Sequence, residues 1–262
     1  MQLDNSIEQK YLLRIRASLD AARRVLDRSG DLATKGSDDP AIISDAENKI
    51  AAALRQSLHQ PNEGWLCEEH ADDRARLACG VVWVVDPIDG TCEFAGGIPE
   101  WSISVGLVID GAAIAGGIYN PATCEIVLGS TNLGVTYNGN PATASNKANL
   151  DGASILASRQ EFLRGDWARF SNREFNIRPL GSVAYKLALV SAGRGDATWT
   201  LSPKNEWDIA AGVALIQAAG GRVTATDGQP IRFNREKTLL PGLIASGEGL
   251  WHEVNRVVTG AR

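Results

Sequence analysis

Soft and imidazole ligands are scarce in this chain: three histidines, one methionine and four cysteines in 262 residues. Cys67, Cys79, Cys92 and Cys124 have no paired spacing of the kind a zinc site or disulfide framework uses. His59, His70 and His252 have no carboxylate or cysteine neighbours at ligand spacing, so ordinary polar roles are favoured. Basic residues are not in excess either. With 26 Lys and Arg against 31 Asp and Glu, the formal net charge is −5, which excludes a broad nucleic-acid surface built to displace counterions. A small anionic substrate stays possible, because a bound cation inverts the local field. No apolar run approaches bilayer-spanning length. Met1-Gln2-Leu3-Asp4-Asn5 lacks the basic region and apolar core of a signal peptide, so a reduced, cytoplasmic protein is expected. There is no fixed-period repeat and no low-complexity segment.

What is present is a chain with 44% hydrophobic and 22% charged residues, enough for one large domain or two closely packed halves. Tyr11, Leu12, Ile15, Leu19, Ala22 and Val25-Leu26 recur at helical spacing, with Ser6 as cap and Gly30 as stop. A polar loop follows over 34–40, then a second helix from near Ser44-Asp45 to His59. Short strands are expected at 64–69, 81–85, 101–109, 112–119, 125–128 and 134–137, with hairpin turns at Asp110-Gly111 and Asn138-Gly139. Beyond a boundary in 138–151 the pattern alternates. Strands are expected at 153–157, 175–178, 196–200 and 243–245, and helices at 161–170, 182–192, 208–219 and 249–258. The expected organisation is an antiparallel-rich α+β half over 1–142 and a smaller α/β half over 143–262.

One stretch organises the rest: Val81-Val82-Trp83-Val84-Val85 ends at Asp86-Pro87-Ile88-Asp89-Gly90-Thr91. Two like charges at the end of a buried strand disfavour each other's ionisation, so a cation between them is expected. Carboxylates suit hard Mg²⁺ or Mn²⁺, and the carbonyl of Ile88 is a further oxygen donor. Read alone, Asp-Pro-x-Asp-Gly is also an ordinary solvated turn. Glu68-Glu69 reads as a charged strand end, and Asp208 as a helix N-terminal acid. The Ala and Gly that follow Asp208, in Ile209-Ala210-Ala211-Gly212, would however let its helix approach another backbone closely.

Trp83-Val84-Val85-Asp86-Pro87-Ile88-Asp89-Gly90-Thr91 and Trp207-Asp208-Ile209-Ala210-Ala211-Gly212 resemble the two signatures of the inositol monophosphatase superfamily. That group includes inositol monophosphatases, 3′(2′),5′-bisphosphate nucleotidases and some fructose-1,6-bisphosphatases. The resemblance implies a layered αβαβα sugar-phosphatase-like fold and hydrolysis of a phosphate monoester with two or three Mg²⁺ ions. Glu68, Asp86, Asp89, Asp208 and the Ile88 carbonyl match the metal ligands. Asp89, Gly90 and Thr91 match substrate and phosphate contacts, and Gly181 and Ser182 the segment beside the leaving group. Asp45 and Lys35 match the acid and lysine of the preceding loop. Thr91, bonded to Glu68 or Asp45, would orient the attacking water. Lys186 is a candidate for a second phosphate, although a lone helix lysine is ordinarily a solvated charge, and Lys204 carries the same reservation. Inhibition by Li⁺ and a homodimer, with Trp101 or Trp167 at the contact, are also implied.

Three departures stand out. Ala41-Ile42-Ile43-Ser44 replaces the family's Val-Thr before the loop acid. Cys67 replaces Gly before Glu-Glu, and where inositol monophosphatases often carry an acid a few residues before the second signature the stretch here is Leu201-Ser202-Pro203-Lys204-Asn205-Glu206. Thr91-Cys92-Glu93-Phe94 and Glu206-Trp207-Asp208 look like the bisphosphate nucleotidase branch, whereas 97–104 is similar to the inositol branch. The balance leans to a nucleoside 3′,5′-bisphosphate, with inositol monophosphate next and fructose 1,6-bisphosphate after it. The alternative from another class is a non-catalytic binding or regulatory protein on the same fold; retention of all four acids argues for the hydrolase.

Overall fold

The computed structural model describes residues 4–30, 32–72, 74–171 and 173–260; Met1–Leu3, on which the reading of the N-terminus partly rests, lie outside them. α1 (Asn5–Arg28) is capped by Asp4, whose side chain accepts the Ser6 N–H, so Ser6 is the donor to the cap rather than the cap. Its buried stripe, Ile15, Leu19, Ala22 and Leu26, packs on α3 (Pro40–Leu58) and on the sheet below. Between them α2 (Leu32–Lys35) is a single turn that runs into the segment expected to be loop, which begins at Thr34. α3 begins at Pro40, ahead of the expected Ser44. Asp39 accepts the Ala41 N–H, and a proline in the first turn forfeits no helical hydrogen bond.

The first sheet contains β1 (Gly64–Cys67), β2 (Val81–Asp89), β3 (Ser102–Ile109), β4 (Ala112–Asn120), β5 (Glu125–Ser130), β6 (Gly134–Tyr137) and β7 (Asn140–Ala142), in that spatial order. Only β1 and β2 run parallel; the remaining pairs are antiparallel. At both expected hairpins the two turn residues have positive φ: Asp110 49° and Gly111 78°, Asn138 48° and Gly139 81°. That is the twist a two-residue connection needs. α4 (Thr91–Ala95) is the short turn that leaves β2.

The second sheet runs β12 (Gly221–Ala225), β14 (Leu243–Gly247), β10 (Ala197–Thr200), β8 (Ser154–Ser158) and β9 (Asn176–Leu180). β8, β9 and β10 are parallel, and β14 is antiparallel to both of its neighbours. β11 (Lys204–Asn205) and β13 (Leu239–Leu240) form a separate pair. The expected helix over 161–170 is instead α5 (Arg159–Leu163) followed by a tight turn at Ala168–Phe170, broken at Gly165 with φ 85°. α6 (Val183–Ser191) and α7 (Glu206–Ala218) lie between the two sheets, while α8 (Trp251–Thr259) covers the outer face of the second. The layers are thus αβαβα.

The central layer explains the small residues of the second signature. A Cβ on Gly116 of β4 would stand 2.5 Å from the Ala211 carbonyl oxygen, and one on Gly106 of β3 would stand 2.8 Å from the Ala211 nitrogen. Bare glycine against alanine lets α7 rest almost directly on the first sheet and carries its N-terminus to the end of β2. Trp101 packs on Phe94 with centroids 4.8 Å apart, and Trp167 stacks on Trp199 at 4.6 Å. Both are buried within this chain, which overturns the expected dimer contact through either of them. Among the described residues, no helix is long and apolar enough to cross a membrane.

Candidate active site

β2 does not end where its apolar run ends. It pairs with β3 as far as Asp89, but Asp86 faces Ser104 and Asp89 faces Ser102, so the strand bulges between the two acids. Pro87 has no N–H to offer the ladder, and a bulge tolerates it there. Asp86 is 1% exposed and accepts the Ile88 N–H at 3.0 Å. Asp89 uses one oxygen, Oδ2, to accept the Ala184 N–H at 2.6 Å at the start of α6, and the Ser182 hydroxyl donates to the same oxygen. The Ser102 and Ser182 hydroxyls are themselves 3.1 Å apart.

Glu68 follows β1, which runs parallel to β2, so both strands deliver acids to one edge. Asp208 sits in the first turn of α7, where Oδ2 accepts the Asn205 N–H at 2.9 Å. Burial raises the Asp86 carboxyl well above the usual range, and Asp89, Glu68 and Asp208 push it further. Asp208 is pushed up to about 7 by burial and then by Asp89, with Glu68 adding to it. Glu68, partly open to solvent, also rises to about 7, through lost hydration and then Asp89 and Glu69.

The chemistry of this donor set is that of a hard-cation site: carboxylate oxygens from both halves of the chain face one another. Among the described residues, no three His, Cys, Asp or Glu side chains stand in a ready-made metal cage. The electrostatic influence of Asp89, Glu68 and Asp208 on Asp86 places the four carboxyls in one neighbourhood. The set therefore fits Mg²⁺, with one Asp89 oxygen fixed by α6 and the other left to it.

Thr91 opens α4, and its hydroxyl lies 3.2 Å from the Ile88 carbonyl oxygen and 3.3 Å from Glu47 Oε1. Neither expected partner, Glu68 or Asp45, takes this place. Asp45 forms an exposed i,i+4 ion pair with Lys49 at 2.6 Å. On α3, Ile43, Glu47, Ile50 and Leu54 are spaced four, three and four residues apart and share one face, which carries Glu47 to the site. Glu47 is not singled out by the sequence, where Asp45 takes its place. Its carboxyl is raised by burial, then by Glu69, against the Thr91 bond. Lys35 closes α2, where a Cβ on Gly97 would meet the Lys35 carbonyl oxygen at 2.7 Å.

Beside Asp89 opens a cavity of about 400 Å³, lined by Gly90, Thr91, Gly181, Ser182, Lys186 and, unforeseen in the sequence, Arg159. Arg164, Glu161 and Lys204 also border it. Lys186 is buried, not solvated, and donates to the carbonyls of Leu180, Gly181 and Ser182 at 3.4, 3.2 and 2.8 Å. An ammonium has three donors, so these carbonyls use all of them; Lys186 braces the 180–182 segment and acts on the cavity through its charge. Burial lowers it to about 8. Ser182 likewise spends its proton on Asp89, and its oxygen accepts the Tyr185 N–H at 2.9 Å, which makes it a helix cap as well as a cavity wall. Arg159 reaches Glu100 and lies 3.9 Å from Glu93, yet its buried Nε has no hydrogen-bond partner. Glu206 does not line the cavity: it is fully buried and accepts the N–H groups of Asn234 and Arg235.

Comparison with known proteins gives a consistent set of relatives. The sequence profile of the inositol monophosphatase family matches residues 4–258. A fructose-1,6-bisphosphatase/inositol-1-monophosphatase of Thermotoga maritima is 33% identical over 207 residues, 78% of this chain and 77% of that protein. An inositol-1-monophosphatase of Synechocystis is 31% identical over 207 residues, 76% of this chain and 71% of its own length. A 3′-phosphoadenosine 5′-phosphate phosphatase of Mycobacterium leprae is 30% identical over 230 residues, 80% of this chain and 79% of that one. The solved structure of an inositol monophosphatase from Anabaena superposes with a TM-score of 0.78 at 27% identity, covering 97% of each chain.

Proposed function

Because the chain belongs to the inositol monophosphatase family of metal-dependent phosphatases, we propose that it hydrolyses inositol 1-phosphate, or a cyclic polyol phosphate of the same size, to inorganic phosphate. The observation that carries the chemistry is the convergence of Asp86, Asp89, Glu68 and Asp208: burial, and then the charge of the neighbouring acids, raises the carboxyls of Asp86, Glu68 and Asp208. Glu68, Asp86, Asp89, Asp208 and the Ile88 carbonyl would hold Mg²⁺, which when bound makes water a better nucleophile and neutralises the phosphoryl and leaving oxygens. Thr91 and Glu47 hold and orient the attacking water, and Glu47, a stronger base than an ordinary carboxylate, accepts its proton. The backbone turn at Gly90-Thr91 receives the phosphate. No residue needs to form a covalent bond to phosphorus.

The substrate preference departs from the nucleotidase lean of the sequence. That lean rested on Glu206 and on Glu93-Phe94. Glu206 is occupied by backbone donors and Phe94 is packed on Trp101, so neither is available to read a nucleotide; Glu93 does line the cavity, beside Arg159. Several relatives also bear the name inositol-1-monophosphatase. One observation favours the second reading, a nucleoside bisphosphate: Arg159 Nε makes no hydrogen bond and meets only Glu93 at ion-pair distance, 3.9 Å, and with Arg164 and Lys204 nearby it is cationic lining a second phosphate could use.

Phosphate release from inositol 1-phosphate, adenosine 3′,5′-bisphosphate and fructose 1,6-bisphosphate, with and without Mg²⁺, tests both. The expected result is Mg²⁺-dependent turnover, with kcat/KM for inositol 1-phosphate at least about tenfold above the others. A bisphosphate in the lead overturns the substrate assignment. Asp86→Asn should abolish turnover while the far-ultraviolet circular dichroism is unchanged.

A further inference from the structure

Glu68 and Asp208 belong to different halves of the chain, and the metal site needs both at fixed separation. The side chain that ties their segments together is Arg76. It lies in the tight turn at Ala75–Ala78 before β2, and its side chain is 0% exposed. Its guanidinium holds Asp72 through two bonds, Nε to Oδ1 at 3.1 Å and Nη2 to Oδ2 at 2.7 Å. Asp72 closes the loop that Glu68 opens. The other edge of the same guanidinium crosses to the second half, where Nη1 donates to Asn234 Oδ1 at 2.9 Å and Nη2 to the Arg235 carbonyl at 2.9 Å. Asn234 returns a bond from Nδ2 to the Arg76 carbonyl at 3.1 Å.

The same two residues are gripped from the opposite side by Glu206. Its carboxylate accepts the Asn234 N–H at 2.7 Å and the Arg235 N–H at 2.9 Å, and it is the first residue of α7, in whose first turn Asp208 stands. A chain of direct contacts therefore runs from the Glu68 loop through Asp72, Arg76, the Asn234-Arg235 turn and Glu206 to the helix that carries Asp208. Gly64 belongs to this arrangement, since a Cβ there would come 2.8 Å from Arg76 Cβ.

We propose that Arg76 and Glu206 are positioning residues for metal binding: by clamping the Asn234-Arg235 turn between them, they set the distance between the Glu68 and Asp208 segments. Neither touches the metal or the substrate. The proposal rests on the assignment of those two acids as metal ligands. Breaking either grip leaves the ligands in place but lets the segments drift, so the loss falls on metal affinity before it falls on chemistry at saturating metal.

The test uses Arg76→Lys and Glu206→Gln, which keep a donor or an acceptor in place, with Arg74→Ala as control, because the Arg74–Glu236 pair at 2.8 Å is exposed in the same region. Calorimetric Mg²⁺ and Mn²⁺ titration is the primary readout, alongside the Mg²⁺ concentration for half-maximal activity. A five- to twentyfold weaker metal Kd is expected in each clamp variant, with kcat at saturating Mg²⁺ within about threefold of wild type and the control unchanged. In the double variant the losses should be less than multiplicative, since both act through one turn. A lowered melting temperature with metal Kd unchanged would show a purely structural role and overturn the proposal, as would fully multiplicative losses. If the wild type binds metal but hydrolyses no phosphate ester, the functional reading fails while the calorimetric comparison still decides the clamp.

Discussion

At the scale of single residues, the contrast between Glu47 and Asp45 carries the most chemistry. They are two positions apart on α3, but only Glu47 meets Thr91, whereas Asp45 is spent on Lys49 at the surface. A surface i,i+4 pair contributes roughly 0.5 kcal/mol at most, so Asp45→Asn should leave kcat/KM within about twofold. Glu47→Gln keeps the shape and removes the base; kcat should fall about 10²- to 10³-fold with KM little changed. Steady-state kinetics on the two variants separates them, and an intact Glu47→Gln with a crippled Asp45→Asn would return the role to Asp45. Asp86 and Asp89 stand out because Asp-Pro-Ile-Asp-Gly-Thr after a run of valines is unusual for a surface turn, whereas Glu68 and Asp208 read as an ordinary strand end and helix cap until the family resemblance singles them out. Glu47 and Arg159 were not legible. Each reaches the site through the register or placement of a short element, and nothing in its immediate neighbours marks it.

At the scale of elements, periodicity located most of the helices and strands, and the turn dipeptides at 110–111 and 138–139 fixed the hairpins. What it missed has local causes. The start of α3 was obscured because Pro40 was read as loop rather than as a first-turn proline. The two-residue strands β11 and β13 have no period to detect. The entry to α6 shows what such details do. Ser182 sits at φ 48°, ψ 120°, an unfavourable conformation for a residue with a Cβ, and its hydroxyl holds Asp89 while its oxygen caps the helix. Such backbone strain costs on the order of 1–3 kcal/mol and persists where function needs it. Ser182→Ala and Ser182→Gly both remove the bond to Asp89 and should lower kcat/KM about tenfold or more. Glycine alone relieves the strain, so Ser182→Gly should melt about 2–4 °C above Ser182→Ala, a difference near 1 kcal/mol. Equal melting temperatures, read by differential scanning calorimetry, would mean the strain is not there.

At the scale of the whole molecule, the raised acids tie stability to pH and to metal together. Asp208 and Glu68 titrate near 7 in the folded chain and Asp86 is also raised, whereas the unfolded chain returns them to the ordinary carboxylate range. Between those values the folded state binds more protons than the unfolded one, so stability falls as pH rises through that window, which for Asp208 and Glu68 extends to about 7. The lowered carboxyls of Glu63, Glu125 and Glu161 act in the opposite sense, but their contribution is lost only as pH falls below the ordinary carboxylate value. Lys186, lowered to about 8, begins to release protons in the folded state only above the window. Metal-free protein should therefore melt lower at pH 8 than at pH 6. Mg²⁺ binds the deprotonated acids of the folded state, and at about 100 times its Kd it adds about 2.7 kcal/mol, or roughly 5–10 °C for a chain of this size. The same Mg²⁺ concentration should give a smaller increment at pH 6, where protons compete for the carboxylates. Thermal melts at the two pH values, with EDTA and with Mg²⁺, measure all four corners. An Mg²⁺ increment equal at pH 6 and pH 8 would mean that the acids of β1, β2 and α7 do not share the cation, because only ligands that must lose protons make metal stabilisation rise with pH.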